Sequence, residues 1–427
     1  MSTIDRRRLL GLTAGAGLTA ALAGCSRNGP ELDGGGGNAE LSVSWYGGAP
    51  VHEAMNSVLR AWSATSGVTA TGSGTDFAAY WDRLGTETAA GSPPDVFRMS
   101  MTYFVEYASR GALADVGALS GLDLSAVDAD VRDSGLVDGT LSGVGQSSIA
   151  PAIFSSTALV EEIGATVPDD WTWPDYESWV TDFATETGKY GTTDLGGNFQ
   201  MFDVFVRQEG GNQFDPDGTL LVTADLIEAW FARWDALRRA KAVPPADVTA
   251  ASSGFEENPM SKGDSALTAG WVQQVSFYAP LVTEGTVKIT PFPQKTSGDH
   301  TGLFVKALDF WCISSASESP EAAAELVNHL INDAEATDPI GLLLGVPPTE
   351  AARDQLRTEA DEATTAAIDY IETYSELAGP GAGPWPTGYG ELLGAFTRGN
   401  ESVGFGDATP AAAAQTFLDE AQRALGR

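Results

Sequence analysis

Leu41-Ser42-Val43-Ser44-Trp45 alternates apolar and polar residues, and Gly47-Gly48-Ala49-Pro50 follows it closely. The period of two predicts a β-strand, and the Gly/Pro run ends it. A helix is expected next, because Met55, Val58, Leu59 and Trp62 fall on one face. Val96 and Phe97 then read as a second strand after the turn Ser92-Pro93-Pro94, and a helix is expected from Tyr103 to Arg110, stopped by Gly111. Strand and helix alternating from the outset predict an α/β protein with a parallel sheet covered on both faces.

The same grammar recurs downstream. Helices are predicted over Pro174–Glu186, Ala224–Ala242, Ala352–Glu376 and about Pro410–Leu425, and an apolar strand over Phe304–Ser314. Ser319-Pro320-Glu321 opens another helix, with a serine cap and a proline in the first turn, where its missing N–H costs nothing. Its buried face would be Leu326, Val327, Leu330 and Ile331. Gly379 to Gly390 reads as a loop carrying Trp385 and Tyr389. The segment around Ala266 and Leu267, before Gly270-Trp271, reads as a helix.

Upstream of the first strand the chain carries Arg6-Arg7-Arg8, an apolar run from Leu9 to Ala23, and Leu22-Ala23-Gly24-Cys25. A positive segment, a short apolar segment and small residues before a cysteine form an export signal with a lipobox. The apolar run falls short of the roughly 20 residues needed to span a bilayer. The layout predicts a signal over residues 1–24, cleavage before Cys25 and lipidation of its thiol. Residues 25–39 hold Pro30 and Gly34-Gly35-Gly36-Gly37 and would form a flexible tether. Asp5-Arg6-Arg7-Arg8-Leu9-Leu10 also fits a twin-arginine signal, so the export route stays open between that and the general secretory one.

Composition narrows the class of function. With 24 Lys+Arg against 58 Asp+Glu, the net charge of −34 argues against nucleic acid, which needs a basic face. Of the two cysteines, Cys25 would be lipidated, which leaves Cys312 without a disulfide partner. His52, His300 and His329 lie in no ligand spacing, and no Cys-x-x-Cys occurs, so no metal is expected. Asp215-Pro216-Asp217-Gly218 reads as a turn between Phe214 and Leu220 rather than a calcium loop, since the closing glutamate is missing. There is no Gly-x-Ser-x-Gly elbow and no phosphate loop, so neither a serine hydrolase nor a nucleotide enzyme is indicated, and no cofactor is expected. What remains is aromatic residues at loop positions. Trp45-Tyr46, Tyr80-Trp81, Trp271 and Trp385 suit a saccharide, whose C–H faces stack on rings while polar neighbours bind its hydroxyls.

These residues also carry a family resemblance. Tyr80-Trp81-Asp82-Arg83-Leu84, Ala89-Ala90-Gly91-Ser92-Pro93-Pro94-Asp95-Val96 and Glu106-Tyr107-Ala108-Ser109-Arg110-Gly111-Ala112-Leu113 resemble the extracellular solute-binding proteins, family 1. So do Gly263-Asp264-Ser265-Ala266-Leu267 with Gly270-Trp271, Ser319-Pro320-Glu321-Ala322-Ala323, and Gly345-Val346-Pro347. The resemblance implies a two-lobed periplasmic-binding-protein-like (type II) fold with a cleft between lobes. Lobe I would hold 40–149 and 302–346, and lobe II 150–301 and 347–427. It implies a monomeric binding protein, not an enzyme, that passes a carbohydrate to the permease of an ABC importer. Binding of a phosphodiester, polyamine or peptide, or secreted glycoside hydrolysis, remain the alternatives.

The resemblance also implies where a solute would sit. Trp45 and Tyr46 take the first cleft loop, Tyr80 and Trp81 the helix that contacts sugar, and Ser100 and Thr102 the segment after the Pro-Asp strand. Relatives often carry an aromatic and an acidic residue there, and Met99-Ser100-Met101-Thr102 departs from that pattern. Phe202 and Asp203 fall in a lobe II loop, Trp271 at the stacking tryptophan, and Trp385 with Tyr389 in the last cleft loop. Asp309 completes the set.

Overall fold

The computed structural model describes residues 39–252, 254–298, 302–379 and 383–426. The expected signal, Cys25 and all of the expected tether except Ala39 lie outside them.

Two sheets organise the chain. The strands are β1 (Glu40–Tyr46), β2 (Thr69–Thr75), β3 (Val96–Ser100), β4 (Leu136–Val137), β5 (Thr140–Leu141), β6 (Val144–Gly145), β7 (Pro151–Ser156), β8 (Tyr190–Thr192), β9 (Ser265–Trp271), β10 (Val287–Thr290) and β11 (Asp309–Ile313). One sheet runs β2-β1-β3-β11-β6, the other β10-β7-β9-β8, and β4 pairs with β5 as a small hairpin. In the first sheet β1 pairs parallel to both β2 and β3, while β11 runs antiparallel to β3. In the second, β7 pairs antiparallel to β9 and β10, and β8 parallel to β9. Helices cover both sheets.

β1 forms for the reason its alternation gives: Leu41, Val43 and Trp45 are buried. Its edge partner β2, Thr-Ala-Thr-Gly-Ser-Gly-Thr, has almost no apolar side chain and no sequence signal. The Trp45 indole packs against it instead. A methyl added at Gly72 would come within 2.4 Å of Trp45 Cη2, and one at Gly74 within 2.8 Å of Trp45 Nε1. Asp95 ties β3 to β1. Its carboxylate accepts from the Ser42 N–H at 2.8 Å, the Ser42 hydroxyl at 2.7 Å and the Ser317 hydroxyl at 2.6 Å. Burial works against the charge, but these bonds outweigh it and hold the carboxyl below its ordinary range.

Several predicted elements need correction. Ser265–Trp271 is a strand and not a helix, because pairing with β7 and β8 overrides the helical propensity of Ala266 and Leu267. The strand expected over Phe304–Ser314 is confined to β11, and residues 304–308 cross between the sheets. Ala352–Glu376 is two helices, Glu350–Arg357 and Glu362–Leu377, the second capped by Asp361. Ser319 makes no side-chain cap, and Glu321 instead accepts from Ser120 N at 2.9 Å. Tyr389 opens the helix Tyr389–Gly404 and so is not a loop residue.

Three segments cross from one sheet to the other and pair side by side. Ile149 pairs with Lys306 and Ser148 with Val346, both antiparallel. Gly345 has φ +119°, and a Cβ there would sit 2.2 Å from Ser147 Oγ, so this crossing admits only glycine without rearrangement. Such paired, glycine-bearing crossings suit a hinge.

Candidate functional site

Between the sheets lies a cleft of about 870 Å³, within the range of small-molecule sites. Helix Met101–Ser109 and the β4–β5 hairpin wall it from the first-sheet side through Val105 and Asp138. From the second-sheet side come Asp203, Gln213, Phe214 and Trp385.

The floor is built from four elements. Helix Phe199–Gln208, capped by Asn198, presents Asp203, which is 3% exposed. The crossing segment places Phe304 and Lys306 beneath the floor, fully buried and outside the cleft lining. Helix Tyr389–Gly404 starts with Tyr389, and Trp385 from the preceding loop stacks on the Tyr389 ring at 4.1 Å and 9°. The Lys306 ammonium lies 4.7 Å from the Trp385 ring centre and 5.1 Å from that of Phe304. Arg207 also stands over the Phe304 ring, at 5.3 Å.

Four buried polar atoms here have no hydrogen-bond partner among the described residues: Asp203 Oδ1, Lys306 Nζ, Tyr389 Oη and Gln213 Oε1. Each such atom costs about 1–3 kcal/mol when left unmet. Their acidities follow. Burial raises the Asp203 carboxyl, against the pull of Lys306 and Arg207. Burial lowers the Lys306 ammonium to about 8, against the pull of Asp203. Burial, helped by Asp203, pushes the Tyr389 phenol well up.

A second ring cluster sits on the first-sheet side. Tyr46, Phe77, Tyr80 and Trp81 pack edge to face or tilted, and Trp81 meets Tyr103 at 4.3 Å. Beneath them Arg98 stands over the Tyr46 ring at 4.1 Å and bonds Asp309 at 2.8 Å. Arg98 also donates to the Tyr46 carbonyl at 2.9 Å, and the Tyr46 hydroxyl donates to Asp309. Arg98 Nη1 and Nη2, Asp309 and the Tyr46 hydroxyl are paired within this cluster, while Arg98 Nε has no hydrogen-bond partner among the described residues.

The residues singled out from sequence therefore separate. Asp203, Trp385 and Tyr389 come together at the cleft floor, and Trp271 stands nearby with its ring 6.1 Å from Phe304. Tyr46, Tyr80, Trp81 and Asp309 belong to the other cluster. Tyr80 is fully buried and donates to the Arg98 carbonyl at 2.6 Å, so it is a core residue. Trp45 is likewise core and not a cleft loop residue: it is 0% exposed, with Nε1 on His52 Nδ1 at 3.1 Å. Phe202 lies on a helix rather than in a loop, buried among Phe205, Trp230 and Phe396. Ser100 caps the helix after β3 by accepting from Thr102 N, and both side chains are buried there. Phe304, Lys306, Arg207, Gln213 and Asp138 were not singled out from sequence. Lys306 alone left a signal, as the one charge within Leu303-Phe304-Val305-Lys306-Ala307-Leu308.

Among the described residues no group of His, Cys, Asp and Glu is arranged to hold a metal ion. A two-sheet α/β body with paired crossings beside a polar-floored cleft defines a solute-binding protein. The family model described as bacterial extracellular solute-binding protein matches residues 49–337, and the chain belongs to that family. Membership implies binding rather than catalysis, and export from the cytoplasm. Among solved structures, the chain is similar to an extracellular solute-binding protein family 1 member from Alicyclobacillus acidocaldarius subsp. acidocaldarius DSM 446, at 25% identity and TM-score 0.73, over 91% of this chain and 99% of that one. It is similar in fold to a periplasmic oligogalacturonide binding protein from Yersinia enterocolitica in complex with saturated digalacturonic acid, at 20% identity and TM-score 0.79, over the same shares. It also resembles in fold an ABC substrate-binding protein from Listeria monocytogenes in complex with cycloalternan, at 19% identity and TM-score 0.76, again over 91% and 99%. No described helix is long and apolar enough to cross a membrane.

Proposed function

We propose that this protein captures a saccharide in the cleft between its sheets and hands it to the membrane permease of an ABC importer. The observation that carries the reading is the pair of polar atoms without a partner among the described residues, Asp203 Oδ1 and Gln213 Oε1, on a cleft wall that also carries the Trp385 ring. Sugar hydroxyls both donate and accept, so one ring can meet the Asp203 carboxylate and the Gln213 amide oxygen together. The solved neighbours bound to digalacturonic acid and cycloalternan support a saccharide as the class.

In this reading lobe I comprises residues 40–149 and 302–346 and lobe II the remainder of the folded body, joined at the paired crossings. Ligand bridging both lobes favours the closed form, which the permease reads. Asp203 and Trp385 contact the sugar, and Trp271 flanks it. The protein works as a monomer, tethered through lipidated Cys25 on the outer face of the cytoplasmic membrane. Cys25→Ala is expected to release the body from the membrane fraction; a variant still processed and membrane-bound would count against the anchor.

The direct test of the solute is a thermal-shift screen of oligosaccharides followed by calorimetry on the hits. A second reading, a polyamine, draws on the carboxylates of Asp138, Asp203, Asp215 and Asp217 in the cleft wall. Spermidine belongs in the same screen. Stabilisation by spermidine with none by any saccharide would replace the first reading with the second.

A further inference from the structure

Asp203 and Gln213 reach the cleft wall from adjoining stretches of chain, and both are fixed there. Asp203 lies in helix Phe199–Gln208, and Gln213 in the loop that follows it. Each is 3% exposed, and each lines the cleft. The Gln213 amide has one orientation open to it. Its Nε2 donates to the Phe199 carbonyl at 2.7 Å. Turning the amide over would set Oε1 against that carbonyl, acceptor against acceptor, so Oε1 stays on the other side, where it has no partner among the described residues.

The backbone holds this side chain in place. The Gln213 carbonyl accepts from Leu221 N at 2.8 Å, and the Gln213 N–H donates to the Asp203 carboxylate. Asp203 Oδ1 is still left without a partner among the described residues. The donors beneath the floor, Lys306 Nζ and Tyr389 Oη, bond neither open oxygen. The two open atoms are therefore of one kind: the outward end of the amide only accepts, and so does an ionised carboxylate. A hydroxyl hydrogen from a solute meets such an acceptor, whereas a solute acceptor placed there adds a second unmet group.

Resting on the saccharide reading above, we infer that Gln213 is a specificity residue: its Oε1, with Asp203 beside it, requires a hydroxyl hydrogen from the solute. The cleft thereby selects saccharides whose hydroxyls are free at that position over those in which they are alkylated, acylated or replaced.

The test uses the full mature chain and deoxyfluoro sugars, in which fluorine replaces one hydroxyl at nearly the same size but has no hydrogen to donate. Maltotriose, cellotriose and xylotriose enter the thermal screen, and each saccharide that stabilises the protein is compared by calorimetry with its single deoxyfluoro analogues. At one hydroxyl the exchange is expected to weaken binding about 3- to 10-fold. In Gln213→Met the same exchange should cost less than about 2-fold, because the partner of that hydroxyl is gone. Gln213→Glu should keep the wild-type loss: burial favours its neutral form, which can donate to the Phe199 carbonyl and leave an accepting oxygen outward. Melting temperature without saccharide is read beside each affinity. A saccharide whose every analogue binds as tightly as its parent overturns the inference on wild type alone, whether or not Gln213→Met folds. A loss that a folded Gln213→Met protein leaves unchanged at every hydroxyl overturns it as well, and in both cases a saccharide site remains. A screen in which no saccharide stabilises the protein overturns the saccharide reading and the inference with it.

Discussion

The two sides of this molecule hold clusters made of the same parts, aromatic rings around a buried cation and a carboxylate, put to different ends. On the first-sheet side Arg98 and Asp309 bond each other, and the carbonyl and hydroxyl of Tyr46 complete the set. At and beneath the cleft floor Asp203, Lys306 and Tyr389 sit near one another, each with a polar atom that has no hydrogen-bond partner among the described residues. A buried polar cluster that satisfies itself rigidifies the fold, whereas one left open costs stability until something else completes it. Both clusters keep an open atom, Arg98 Nε in the first, so the difference that bears on binding is position: Asp203 lines the cleft and Asp309 does not.

Removing a partner from the closed cluster gives the largest expected effect. Asp309→Ala leaves the Arg98 guanidinium buried and uncompensated, and should cost about 3–5 kcal/mol in denaturant unfolding with ligand affinity retained in the folded fraction. A stable Asp309→Ala protein that loses affinity would turn that cluster into the site and break the comparison.

The open cluster holds a titrating group, Lys306. Lys306 is held near 8 against an ordinary 10.5, so between these values the unfolded chain binds the proton that the folded protein lacks. Stability from this group therefore rises with pH across that window, at up to about 1.4 kcal/mol per pH unit. Wild type should gain on Lys306→Met from about pH 8 to 10, measured as the difference in unfolding free energy. A difference that stays flat would place the ammonium in a more hydrated setting than its full burial implies.

The smallest effect belongs to Trp271, at the end of β9 and only partly buried. Trp271→Ala should weaken saccharide binding by about 1 kcal/mol with little change in melting temperature. A loss of stability of the size expected for a core tryptophan, about 3–5 kcal/mol, would move it into the core with Trp45.

Much of this architecture is legible in the chain, and the gaps have physical causes. The first strand and helix announce themselves through periodicity, because each buries one face with its own side chains. β2 is silent because Trp45, from the neighbouring strand, supplies its apolar cover and requires Gly72 and Gly74 beneath the ring. β9 misleads because its partners are distant in sequence. At the site, the resemblance pointed to Asp203 but to a loop, and the structure sets it on a helix. Its open Oδ1 is a property of three-dimensional surroundings that no motif records. Lys306 stands out in sequence only as a charge in an apolar run, with nothing local to tell an ion pair from a ligand contact.

The most direct test of the open cluster is the paired measurement on Asp203→Asn: calorimetric affinity for a saccharide that wild type binds, beside melting temperature without ligand. The account predicts a loss of about 10- to 100-fold in affinity, the scale of a hydrogen bond to a charged group, with the fold retained. A folded Asp203→Asn protein that binds the same saccharide with wild-type affinity would contradict it.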